Sequence, residues 1–276
     1  MVILQGVLER AVEWRRIPVN PCRAVRKPSQ RRERAVHPFA PDQVERLRAH
    51  LLEHGLRRDA VLVSLLAYAG LRPGEALALT WGHVRERTIL VERALALGEL
   101  KTTKTGRTRT VRLLAPLAAD LSEWRIAQGR PQDKALVFPA LSGGVWSDDA
   151  WRYWRRRIFG QAARAVGLEH ARPYDLRHSF VSLLLAEGAN VVEVARQAGH
   201  SPTMTLSTYA HLFEELDGAD RTSAENRIRQ ARRTRFVPET EDGASDPTEE
   251  VPANPGEPTR GFEPRTPSLR VKCSTS

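Results

Sequence analysis

Residues 172–212 read RPYDLRHSFVSLLLAEGANVVEVARQAGHSPTMTLSTYAHL. The pattern is helical over about Asp175–Glu187 and Val191–Ala198, and a third helix begins at Pro202. Gly188 and Gly199 punctuate the first two ends, where glycine accepts the left-handed turn that closes a helix. Ser201-Pro202 gives an N-cap residue followed by a proline suited to the first helical turn. Three consecutive helices with short connections follow, which sets the fold class as mainly helical.

The upstream sequence has the same texture with one interruption. Pro41-Asp42 opens a helix through Val44, Leu47, Leu51 and Leu52 to Gly55. A more buried helix runs from about Asp59 to Ala69, with Gly70 as its stop, and Pro73 starts another. Helical patterns return over Pro116–Gln128 and at about Asp148–Val166. Before these, from Thr88 to Leu114, Thr88-Ile-Leu-Val and Thr108-Arg-Thr-Val-Arg-Leu alternate or cluster as strands do, and Thr105-Gly106 is a turn signal. Val137-Phe138-Pro139 is a short extended segment. The expectation is α+β: mainly α with a small antiparallel β-sheet. At the start, Leu4, Val7, Leu8, Ala11 and Val12 form a short amphipathic helix, and Asn20–Ala35 reads as a linker.

Composition narrows the partner. Across 276 residues the formal net charge is +10, and arginine supplies nearly all the basic residues. Residues 236–276 hold eight acids against four bases and seven of the 18 prolines, and they read as a disordered tail. The remainder therefore carries +14, which favours a polyanionic partner. Cys22 and Cys273 are too few for a disulfide framework or a cysteine zinc site. With no long apolar run and no secretory leader pattern, a cytoplasmic location without a membrane span is expected.

Four short stretches carry chemistry: Gly70-Leu-Arg72-Pro-Gly-Glu75, Thr103-Lys104-Thr-Gly, Tyr174-Asp-Leu-Arg177-His178, and Gly199-His200-Ser-Pro with Tyr209-Ala-His-Leu nine residues after His200. Singly, each has a plain reading: a surface arginine, a hairpin lysine, a packed aromatic, a helix-end histidine. In this order, from about Val36 to Leu212, they resemble the tyrosine recombinases, the phage-integrase family.

The resemblance implies site-specific cutting and rejoining of duplex DNA through a 3′-phosphotyrosyl intermediate, in the integration or excision of a prophage or mobile element. Arg72 and Arg177 would meet the charge gathering on the phosphate oxygens. Lys104 would protonate the leaving 5′-oxygen, His200 would hydrogen-bond the phosphate or assist proton transfer, and Tyr209 would be the nucleophile. Glu75 would orient an active-site arginine. Tyr174 occupies a place where the family often has histidine, which weakens any general base there. His178 is expected to turn to the other side of its helix. Tyr209 is expected to need neighbouring cations or a base in order to attack, and the arrangement to surround it with them.

No cofactor and no metal are implied. The implied partners are double-stranded DNA, further copies of the chain in a tetrameric synaptic complex on DNA, and accessory excision or bending factors. By the same resemblance, residues 1–35 are the last helix of a truncated DNA-clamping domain plus linker, 36–235 the catalytic domain, and 236–276 the tail. The competing reading is a truncated, non-catalytic DNA-binding remnant of the same fold.

Overall fold

A computed structural model describes residues 2–25, 38–102, 108–215 and 221–234, all within one unit spanning 1–237. Lys104 with its turn, most of the linker and the tail lie outside the described residues.

The core is organised by Arg57–Tyr68. Its sequence, RRDAVLVSLLAY, is apolar on every side beyond the first turn, so its helix is buried along almost its whole length. Numbered in chain order, this is α3, preceded by α1 (Val2–Glu13) and α2 (Pro41–Glu53) and followed by the single-turn α4 (Pro73–Leu77). Next come β1 (Thr88–Val91), β2 (Arg93–Ala96), β3 (Glu99–Thr102) and β4 (Arg109–Arg112). The helices α5 (Ala115–Ala127), α6 (Asp148–Tyr153) and α7 (Gly160–Ala165) follow, the last two joined by a π-helical turn at Trp154–Phe159. The chain continues through α8 (Pro173–Glu187), α9 (Val191–Ala198), α10 (Pro202–Glu215) and α11 (Ala224–Thr234). Helix α3 packs between α2, α5 and α8, and α10 lies against α8 and α9.

Three helices open alike. Ala40-Pro41, Arg72-Pro73 and Arg172-Pro173 each place proline at the first helical position. A side chain two residues further on then reaches back to the N-cap amide. Gln43, Glu75 and Asp175 accept from Ala40, Arg72 and Arg172 at 3.0, 2.7 and 2.9 Å. At α4 and α8 the N-cap residue is itself an arginine beside the site.

The strands form two antiparallel pairs. β1 pairs with β4 in the register Thr88↔Arg112 to Val91↔Arg109. β2 pairs with β3 through a tight turn at Leu97-Gly98, both with positive φ. Trp146, Trp151 and Trp154 pack together, and Trp154 Nε1 donates to the buried Asp59 at 2.8 Å. Helix α11 is held by a buried ionic cluster. Arg232 bridges Glu45 on α2 (3.1 Å) and Asp120 on α5 (2.8 Å), Arg48 meets the same Asp120, and Tyr68 donates to Glu45 at 2.7 Å.

Candidate active site

Two helix endings converge to build the site. Gly70 follows α3 with φ +59°, and a Cβ there would lie 2.3 Å from Phe180 Cδ1, so only glycine lets the chain end sit against α8. Gly199 follows α9 with φ +65°, and a Cβ there would lie 3.2 Å from both the Arg72 and Arg109 guanidiniums. These turns leave the carbonyls of Gly70, Ala198 and Gly199 facing the same few side chains.

Arg177 donates to the carbonyls of Gly70 and Ala198 and is buried. Arg72 donates to the carbonyl of Gly199 at 2.8 Å and to Glu75 at 2.9 Å, and stays partly exposed. The carbonyl end of a helix carries partial negative charge, which favours a cation. Among the described residues no carboxylate pairs with Arg177, so its charge is stabilised without being cancelled. Burial and the nearby Arg72 lower its pKa to about 10, which leaves it protonated at neutral pH.

Glu75 is the hub. Arg109 on β4 grips it with two bonds of 2.8 and 2.7 Å and also donates to the carbonyl of Gln197 at 2.9 Å. Burial pushes the Glu75 carboxyl upward, but Arg109 and Arg72 outweigh it and hold the pKa at about 2. Glu75 thus orients Arg72 and ties it to Arg109. The sequence reading did not single out Arg109. Nothing marks one arginine among many in an alternating strand.

His200 follows Gly199. Burial first, then the charges of Arg177 and Arg72, lower its pKa to about 3, so its imidazole is neutral. Its buried Nδ1 finds no hydrogen-bond partner among the described residues. Tyr209 is fully buried where α10 departs from helical geometry (φ −119°, ψ 17°). Two expectations are corrected here. His178 does not turn away: its Nδ1 hydrogen-bonds the Tyr209 hydroxyl. Consecutive helix residues are only about 100° apart, so both Arg177 and His178 border the site. Nor do cations activate the phenol in this structure. Burial raises its pKa, and the opposing effect of Arg177 is smaller. Tyr174 is 40% exposed and lies edge-on to His178, with ring centroids 5.5 Å apart. Arg72, Glu75, Tyr174, Arg177, His200 and Tyr209 are thus brought together, while Lys104 lies outside the described residues.

Beside Tyr174 a groove of about 780 Å³ runs along α6 and α7, lined by Arg155, Arg156, Arg157, Arg164 and Arg172.

The sequence profile described as the phage integrase family matches residues 38–215. The chain belongs to the phage integrase family. Tyrosine recombinase XerC of Corynebacterium efficiens is 30% identical over 163 residues, covering 59% of this chain and 49% of that protein. Tyrosine recombinase XerC of Xanthomonas axonopodis pv. citri is 33% identical over 160 residues, covering 58% and 48%. This phage integrase family chain therefore spans about half the length of the curated relatives it matches. The Tn1549 transposon integrase in complex with transposon right end DNA shares its fold with a TM-score of 0.58 at 19% identity, covering 83% of this chain and 76% of that one. A lambda integrase dimer bound to a core site gives 0.56 at 16% identity, covering 74% and 69%. These likenesses match the mainly helical architecture with a small antiparallel sheet read from the sequence.

Proposed function

We propose that this chain is a site-specific recombinase that cuts and rejoins duplex DNA through a tyrosyl-phosphate link and serves a mobile element. The observation that carries the reading is the pair Arg72 and Arg177, fixed by helix-end carbonyls next to Tyr209 and His200. A transition state at phosphorus gathers negative charge on the non-bridging oxygens, and preorganised guanidiniums oppose it without reorganising. Tyr209 attacks phosphorus, and the 5′-oxygen leaves and takes a proton, a role the resemblance gives to Lys104. His200, neutral, donates one hydrogen bond to a phosphate oxygen through the ring nitrogen that carries its proton. The arginine groove supports a duplex phosphate backbone running past Tyr174. Because Tyr209 is buried, cleavage needs the surface around α10 to open so that a phosphate reaches its hydroxyl, and that helix is already broken at Tyr209.

In this reading residues 36–235 are the catalytic domain, and α1 with the following segment belongs to the other half of a DNA clamp. Copies assemble as a tetramer on two DNA sites in the cytoplasm, with accessory factors setting direction. The test is covalent capture. The full chain is mixed with a pool of nicked suicide duplexes of randomised sequence, and protein-linked DNA is recovered under denaturing conditions. The parent yields an adduct mapping to Tyr209, and Tyr209→Phe yields none while still folding and binding DNA. An adduct that survives in Tyr209→Phe, or no adduct with the parent, overturns the reading.

A further inference from the structure

We propose that His178 accepts the proton of Tyr209 during cleavage and returns it when the strand is rejoined, a proposal that rests on Tyr209 being the nucleophile. The basis is a direct hydrogen bond between the Tyr209 hydroxyl on α10 and Nδ1 of His178 on α8, with the two rings 5.8 Å apart. No other described nitrogen is bonded to that hydroxyl. The position one turn earlier, Tyr174, packs its ring against the imidazole and is a poor acceptor near neutral pH.

For the hydroxyl to donate to Nδ1, the imidazole must be neutral with its proton on Nε2. The surroundings favour that form. Burial, Arg177 and Arg172 lower the His178 pKa, and Asp175 opposes them more weakly than burial does. From the neighbouring elements it is faced by Tyr209 on α10 and by His200, which is itself neutral. A phenol whose pKa is raised has almost no phenolate at neutral pH, so attack requires an acceptor in contact with it.

The step balances. The phenolic proton passes to Nδ1 as the phenol oxygen bonds to phosphorus. The bond from phosphorus to the 5′-oxygen breaks, and that oxygen takes a proton from an acid on the protein or from water. In rejoining, the 5′-hydroxyl attacks the phosphotyrosine, and the imidazolium protonates the departing phenolate.

The experiment measures single-turnover adduct formation by the full chain on a nicked duplex recovered from the randomised pool, from about pH 5 to about pH 9. The parent rate should rise at low pH and level off near neutrality, once the imidazole is free to accept. His178→Asn keeps a hydrogen-bond acceptor but takes no proton. It should be slower by about 100-fold or more near pH 7, and its rate should keep climbing with pH. Placing 3-fluorotyrosine at position 209 lowers the phenol pKa and should speed His178→Asn by a larger factor than it speeds the parent. A His178→Asn protein with the parent's rate and pH profile overturns the proposal. So does a loss that is equal at every pH and not relieved by fluorotyrosine, which would make the contact one of packing alone. An adduct that survives in Tyr209→Phe fails the nucleophile reading itself and takes this proposal with it.

Discussion

Replacing Glu75 by glutamine keeps the shape of the side chain and removes the charge that two arginines share. The carboxyl is displaced from 4.5 to about 2, which corresponds to about 3 kcal/mol in favour of the charged form. In Glu75→Gln the Arg109 side chain, 10% exposed, is left without its acid, and the new amide turns two donors toward guanidinium donors. A loss of about 3 kcal/mol is therefore expected, at the lower end of what breaking a buried ion pair costs. Urea unfolding followed by tryptophan fluorescence measures it near neutral pH. The same pair of proteins gives a second reading against pH. A carboxyl whose folded pKa is depressed contributes fully above its unfolded value, and the contribution fades as pH falls toward the folded value. The stability difference between parent and Glu75→Gln should thus be constant above about pH 4.5 and nearly gone at about pH 2. A variant within about 0.5 kcal/mol of the parent, or a difference that persists unchanged at about pH 2, would refute the assignment of Glu75 as the hub.

Gly199→Ala forces a Cβ into a left-handed turn and against two guanidiniums. It should cost about 1–2 kcal/mol in urea unfolding and slow adduct formation by displacing Arg72. Arg232→Ala leaves Glu45 and Asp120 buried without that cation, so thermal and urea midpoints should fall by the equivalent of about 3 kcal/mol. DNA binding by the full chain should weaken steeply with salt. The logarithm of affinity against the logarithm of salt should have a negative slope of several units, checked by anisotropy titrations, and a flat profile would exclude phosphate tracking by the arginine groove.

Helix ends were the most legible feature in the sequence. Gly70, Gly188 and Gly199 mark left-handed closures, and Pro41, Pro73 and Pro202 mark first turns, because backbone geometry restricts which residues fit. The β2–β3 hairpin was less legible. Arg93–Ala96 and Glu99–Thr102 bury little, so neither carries the alternation that announces a strand, and the Leu97-Gly98 turn lacks a strong local signature. At the site, Arg72, Glu75, Arg177, His200 and Tyr209 could be picked out by motif order. The roles of Arg109 and His178 depend on where β4 and α10 come to lie, and a single helix or strand does not encode that. The burial that raises the Tyr209 pKa is likewise a property of packing between α8, α9 and α10.

The carbonyls that hold Arg72 and Arg177 have a consequence for how such a site is inherited. A carbonyl carries no residue identity. The oxygen that position 198 offers Arg177 belongs to the backbone, so it is kept under any substitution small enough for the buried site of Ala198, provided α9 ends where it does. One residue inserted in α9 would instead rotate everything beyond it by about 100° and advance it by about 1.5 Å, taking those oxygens out of register with the guanidiniums. Lineages carrying this site should therefore accumulate substitutions along α9 far more readily than insertions or deletions.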